Sequence, residues 1–115
     1  MKSILLVEDN ADLRDMLRES LEGAGYQVIT APGGRLGLTL FQRGPIDAVV
    51  TDIMMADGEG IEFILRVKEA RPGVPVIAMS AKAHYLDNAA KLGADRTLLK
   101  PFRLRDLLAC LQQAA

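Results

Sequence analysis

The chain reads as an α/β protein built on a parallel sheet of five βα units, and three observations predict it. Short β-rich runs alternate with stretches of helical spacing, which is the pattern of repeated βα units. Several of the runs are apolar on consecutive residues, as strands covered on both faces are. Three of them break off at charge: ILLV runs into Glu8 and Asp9, AVVT into Asp52, and RTLL into Lys100 and Pro101. Ligands of open α/β sheets sit in the crevice outside the carboxyl ends of the strands, so charge collected there points to chemistry.

The elements follow in order. Strands are expected at residues 2–7, 26–31, 46–51, 74–79 and 95–99. In the first helix Leu13, Met16, Leu17 and Leu21 keep the spacing of one face, and Gly23 with Gly25 supplies its stop. The second helix, residues 33–43, carries Leu36, Leu40 and Phe41 on one side. Gly34 and Gly37 each cost it about 1 kcal/mol relative to Ala, which predicts a looser element. The third, residues 60–71, has Ile61, Ile64 and Leu65 as its expected buried stripe and stops at Pro72-Gly73. The fourth, residues 83–92, has a thin apolar face. The fifth begins after Pro101 and carries Leu104, Leu107, Leu108 and Leu111 at helical spacing.

Composition bounds the class. With 115 residues, 50% of them hydrophobic, the chain can bury one core and not two, so one domain over residues 1–115 is expected. The 14 basic and 15 acidic side chains leave a formal charge of -1, which gives no global positive field for nucleic acid. Cys110 is the one cysteine and has no partner for an internal disulfide, in keeping with a reducing cytoplasm. The apolar run after Met1 is too short for a signal peptide or a membrane span. These features together predict a soluble cytoplasmic protein that contacts neither nucleic acid nor membrane directly.

Acidic residues before a helix are commonly N-caps, so Glu8 or Asp9 alone would be structural, and Asp52 alone an ordinary loop residue. Their coincidence at neighbouring strand ends would put three anions together, which requires compensating cations. Lys100 offsets one charge, and a hard divalent ion with oxygen ligands is the natural remainder. A carboxylate beside Mg²⁺ can act as a nucleophile toward a phosphoryl group, and Asp52 is the best placed. Ser80, directly after VIAM, can donate its hydroxyl to a phosphoryl oxygen, although a serine after a strand is also a frequent helix N-cap.

These residues resemble the receiver domains of two-component response regulators over essentially the whole chain. The matching segments are ILLVEDN, DAVVTD, DGEGIEFI, PVIAMSA and GADRTLLKPF, with the spacing between them. The resemblance implies a flavodoxin-like (βα)5 three-layer sandwich with strand order 2-1-3-4-5. It implies Asp52 as acceptor of a phosphoryl group from a phosphohistidine, and Glu8 and Asp9 as the Mg²⁺ acids, with Asp9 the direct ligand of the two. The backbone carbonyl of Met54 would complete the protein ligands, and Ser80 and Lys100 would contact phosphoryl oxygens. The Lys100-Pro101 peptide is expected to be cis. Partners implied are a sensor histidine kinase or histidine phosphotransfer protein and a downstream effector protein or domain. The output surface would be helix four, strand five and helix five, with Arg96, Arg103 and Arg105 as contacts and homodimerisation possible there.

Departures from the family pattern bear on signalling. Thr97 stands where the family generally has Tyr or Phe, so the usual coupled ring rotation is expected to be absent. Ala56 replaces a common proline in the loop after Asp52. Met54 and Lys82 occupy positions that flank the route of the attacking water in the family, the first excluding water and the second attracting phosphate oxygens. His84 reads as an exposed loop residue, since phosphorelay histidines sit on long bundle helices. Cys110, among leucines, reads as a small core or interface residue.

Other classes fit less well. A phosphatase of the haloacid dehalogenase type needs a second acid two residues after the nucleophile, where this chain has Met54. A P-loop enzyme needs GxxxxGK[ST] after the first strand, and a flavodoxin proper needs a hydroxyl-rich phosphate loop there; Glu8-Asp9 would repel phosphate. The remaining alternative is a receiver-like interaction module that signals without phosphorylation.

Overall fold

The computed structural model describes residues 2–55 and 60–114. Ala56 and the first three residues of the DGEG motif lie outside the described residues. The elements alternate as β1 (Ser3–Val7), α1 (Ala11–Gly23), β2 (Gln27–Ala31), α2 (Gly34–Arg43), β3 (Ala48–Asp52), α3 (Gly60–Ala70), β4 (Val76–Ser80), α4 (Ala83–Lys91), β5 (Arg96–Leu99) and α5 (Leu104–Ala114). All strand pairs are parallel and the order is β2-β1-β3-β4-β5, the flavodoxin-like arrangement. The third and fourth strands each begin two residues later than the apolar runs suggest and each includes its terminal polar residue, Asp52 or Ser80.

Side chains of a strand alternate between faces, and the sheet sorts its apolar residues accordingly. Leu5, Val7, Val49, Val76 and Ala78 face α2, α3 and α4, whereas Ile4, Leu6, Val50, Ile77 and Met79 face α1 and α5. The three central strands are buried at every residue, which is why they read as continuous apolar runs. The two edge strands are exposed at several positions.

Four helical stripes differ from their expected membership. Met16 in α1 is 56% exposed, leaving Leu17 and Leu21 as the residues buried there. In α2 Leu36 is exposed, while Phe41 is fully buried. The buried face of α3 is Gly60, Phe63, Ile64 and Val67, rotated by about one residue, roughly 100°, from the expected stripe of Ile61, Ile64 and Leu65. Leu104 in α5 is exposed, with Leu107 and Leu111 beneath it. Each helix carries more apolar residues than its contact with the sheet can cover, so packing selects among them.

Gly37 of α2 also acts differently from expectation. A Cβ at Gly37 would fall 3.0 Å from Val7 Cγ2 and 3.2 Å from Phe63 Cε1, both on buried residues. The missing side chain therefore lets α2 close onto β1 and α3, offsetting its helix-propensity cost through packing.

Gly60 is tighter still. A Cβ there would overlap the carbonyl oxygen of Ile53 and lie 2.7 Å from its carbonyl carbon. Backbone cannot move aside as a side chain tip can, so Gly60→Ala is expected to destabilise the fold by about 1–3 kcal/mol, measured by urea denaturation. Gly23→Ala, whose methyl would meet nothing within 4 Å, serves as the control. Equal stability of the two variants would show that the entry of α3 tolerates a side chain.

Candidate functional site

β1 and β3 are neighbours where the strand order reverses, the place at which a doubly wound sheet opens a crevice. Val7 is in register with Thr51, so Glu8 and Asp52 come level one residue further on. Asp9 follows in the turn before α1. Glu8, Asp9 and Asp52 each present a carboxylate oxygen within 4.8 Å of the others. Glu8 and Asp52 are buried, at 1% and 5% exposure, while Asp9 is exposed.

None of the three acids is needed to cap α1. That task falls to Asn10, whose Oδ1 accepts from the Leu13 amide at 2.9 Å. The structural explanation available for Glu8 and Asp9 in isolation thus has another occupant. Glu8 is held instead by the Asn10 amide, which donates to Oε2 at 3.1 Å, and its carbonyl accepts from Arg14 at 2.8 Å. Arg14 was not legible as a site neighbour, because that contact spans six residues along the chain and follows no side-chain periodicity.

Lys100 extends from the end of β5 past the tip of β4 to the acid cluster. Its Nζ donates to Glu8 Oε1 and to Asp52 Oδ2, both at 2.7 Å. Its own amide is fixed by the Ser80 carbonyl at 2.8 Å, and the Lys100-Pro101 peptide is cis. Burial pulls the lysine toward neutrality, but its bonds to Asp52 and Glu8 outweigh this and hold its pKa above the ordinary value. Lys100 is therefore an ammonium at neutral pH. Burial raises the pKa of Glu8, assisted by the Asp52 charge and opposed by the bonds from Lys100 and the Asn10 amide.

The remaining predicted residues distribute around this centre. The Met54 amide donates to Asp52 Oδ1 at 3.2 Å, and its side chain is 52% exposed. Ser80 ends β4 and is buried; it is not the N-cap of α4, which is Lys82, but its Oγ accepts from the Lys82 amide at 3.1 Å. Thr97 is exposed on β5, paired with Ala78. His84 is exposed as expected but lies in the first turn of α4 and not in a loop; its ring centroid is 4.3 Å from that of Tyr85, and it is not part of the acid cluster. Cys110 is half-buried against the α1/α5 core, and burial pushes its thiol pKa up.

Three carboxylates against one ammonium leave excess negative charge with oxygen donors only. That donor set suits a hard divalent cation, and the cluster can hold one. Every buried side-chain polar atom among the described residues has a hydrogen-bond partner. Among the same residues, no helix is long and apolar enough to cross a membrane.

Comparison with known proteins agrees with this geometry. Residues 4–112 match the family described as the response regulator receiver domain. KdpE of Escherichia coli, a KDP operon transcriptional regulatory protein, is 39% identical over 99% of this chain and 51% of its own length. CpxR of the same organism is 38% identical over 95% of this chain and 47% of its own length. The chain thus spans about half the length of these relatives. Among solved structures, TrrA of Thermotoga maritima in complex with Mg(2+)-BeF superposes with a TM-score of 0.93 at 30% identity, covering both chains completely. The chemotaxis regulator CheY4 of Vibrio cholerae gives a TM-score of 0.90 at 29% identity, covering 100% of this chain and 99% of that one. The chain belongs to the response regulator receiver domain family.

Removing the lysine tests the electrostatic arrangement. Lys100→Met leaves two buried carboxylates without their cation and is expected to lower stability by about 3 kcal/mol in thermal melts without divalent ions. Adding Glu8→Gln should recover part of that loss. A Lys100→Met variant as stable as the wild type would mean that the cluster is effectively solvated.

Proposed function

We propose that this receiver domain accepts a phosphoryl group on Asp52 from the phosphohistidine of a sensor histidine kinase or histidine phosphotransfer protein, and so acts as a Mg²⁺-dependent signalling switch. The observation that carries the reading is Lys100 bridging Glu8 and Asp52 inside the acid cluster. The TrrA structure, which contains Mg(2+)-BeF, supports it by likeness of fold.

Asp52 is the nucleophile. As one of its carboxylate oxygens bonds to phosphorus, the donor's P–N bond breaks, and the imidazole, already protonated on its other ring nitrogen, keeps the electron pair and leaves as the neutral ring. Lys100, already an ammonium, faces the oxygens on which negative charge accumulates. Ser80 donates its hydroxyl to another phosphoryl oxygen. A Mg²⁺ held by Asp9, Asp52 and the Met54 carbonyl, with Glu8 beside them, would neutralise phosphoryl charge and allow the anionic donor to approach. Hydrolysis reverses the state: water attacks phosphorus, the bond to Asp52 breaks, the carboxylate is restored and inorganic phosphate leaves.

The chain is in this reading a switch with self-catalysed phosphorylation and dephosphorylation, working in the cytoplasm as one receiver unit. A downstream effector protein or domain reads the state. The proposed output face is α4, β5 and α5, where Arg96, Arg103 and Arg105 are exposed and Leu99 is 50% exposed, and it is also the proposed dimer face.

Incubation with acetyl phosphate and Mg²⁺ should add one phosphoryl group by mass spectrometry, and omission of Mg²⁺ or Asp52→Asn should abolish the addition. A stable adduct in Asp52→Asn would move the acceptor elsewhere. No adduct in the wild type would favour the interaction module that signals without phosphorylation.

The side chain of Met54 limits water at the site in this reading. Met54→Asn, which offers hydrogen bonds to a water, is expected to accelerate loss of the phosphoryl group about tenfold while leaving its uptake intact. Phosphate release from the isolated adduct measures this, and an unchanged rate would remove Met54 from the hydrolysis step.

A further inference from the structure

Lys100 bonds Glu8 and Asp52, so one ammonium places the two buried acids of the cluster. Asp9 is the exposed third acid, and where its carboxylate falls depends on the peptide that joins it to Glu8. The turn carrying that peptide is anchored on several sides. The Glu8 amide donates to the Ala31 carbonyl at the end of β2, at 3.0 Å. The Asn10 amide donates to Glu8 Oε2 at 3.1 Å, and the Asn10 carbonyl accepts the Arg14 amide at 2.9 Å. The carbonyl of the Glu8-Asp9 peptide itself accepts from Arg14 Nη1 at 2.8 Å. Helical side chains lean toward the N-terminus of their helix, which lets a half-buried arginine in the first turn of α1 reach back to this oxygen. A guanidinium is always charged, so the bond is among the stronger ones a carbonyl receives.

We propose that Arg14 is a positioning residue for the divalent cation: by clamping the Glu8-Asp9 peptide it keeps the Asp9 carboxylate within reach of Glu8 and Asp52, an inference that rests on the Mg²⁺-dependent reading above. Arg14 acts through the backbone of the turn. Its charge and its clamp have opposite effects on cation binding, and this separates them. As a permanent positive charge near the acids, the guanidinium disfavours a second cation, so removing it by charge alone tightens binding. As the clamp, its removal frees the peptide to rotate and disperses the ligand oxygens, so binding weakens. A contact that orients the ligands of a metal typically carries 10–100-fold in affinity, whereas the charge of a half-exposed arginine is screened by solvent and salt. The clamp therefore dominates, and the loss of a like charge is expected to weaken the binding of a cation.

Mg²⁺ alone, titrated into the intact chain and followed by the amide NMR shifts of the turn between β1 and α1, tests the clamp without any phosphoryl donor. Arg14→Met keeps a long stem and a good helix former, and it should weaken the Mg²⁺ Kd about tenfold. Arg14→Lys, which returns a charged donor, should recover most of that loss. Should Arg14→Met not fold, Arg14→Gln carries the same expectation. Arg18→Met is the charge control: Arg18 pairs with Glu22 at 3.0 Å and with Asp15 at 4.0 Å on the same helix, and its removal should leave the Kd unchanged or tighter. Binding in Arg14→Met as tight as in the wild type, or tighter, would overturn the clamp and leave the cation site standing. Equal weakening in Arg18→Met would overturn it too. No Mg²⁺-dependent shift in the wild type would overturn the Mg²⁺-dependent reading, and this inference with it.

Discussion

The arrangement of the molecule turns on the confinement of like charge at one edge of the sheet. Three carboxylates converge within 4.8 Å, two of them buried. Each pair of unit charges about 4 Å apart repels by about 4 kcal/mol at the effective dielectric of a protein rim, a large figure beside the stability of a small domain. One ammonium offsets part of this. Lys100 does so by bonding the two buried acids at once, which ties the end of β5 to the ends of β1 and β3 across the intervening β4. The residual anionic character, with oxygen donors only, is what suits the cluster to a divalent cation.

The scaffold keeps that confinement intact by being dry elsewhere. β1, β3 and β4 are buried along their whole lengths, and the charged residues emerge at the strand ends. Arg71 stacks at 4.0 Å over Phe41 and donates to the Phe41 carbonyl, closing the far end of α2. Lys68 makes a comparable joint at the opposite edge from the acids, donating to the carbonyls of Pro72 and Val74 and to Asp95. Asp95 also accepts the Val76 amide, so the starts of β4 and β5 are fixed together. With those joints below, the strand tips above present the acid cluster from a sheet whose central strands are fully buried.

The residues of the candidate site and the residues around it differ in how legible they were in the sequence. Glu8, Asp9, Asp52, Ser80 and Lys100 could be picked out because each terminates an apolar run, and the end of a buried strand is a fixed place in a parallel sheet. Thr97 could be picked out only as a departure from a family pattern. That the Ser80 hydroxyl accepts the Lys82 amide was visible only in the structure.

Strand order of apolar and polar runs, together with the charge at their ends, was enough to indicate the βα alternation and the residues of the candidate site, since both follow from local periodicity and from the spacing of motifs. Helix membership was less legible. Met16, Leu36 and Leu104 have the right spacing and remain exposed, whereas Phe63 and Val67 form the buried face of α3. Periodicity identifies which residues share a side of a helix, but a helix wider in apolar residues than its contact leaves the rotation to packing. The same holds for the glycines: in the chain Gly37 looks like a weak helix former and Gly60 like an ordinary helix start, and only the approach of Val7 and Phe63 to the one and of the Ile53 backbone to the other reveals them as close contacts. Tertiary structure alone decided these points, because distances between elements far apart in sequence are set by the whole core and by no segment of it.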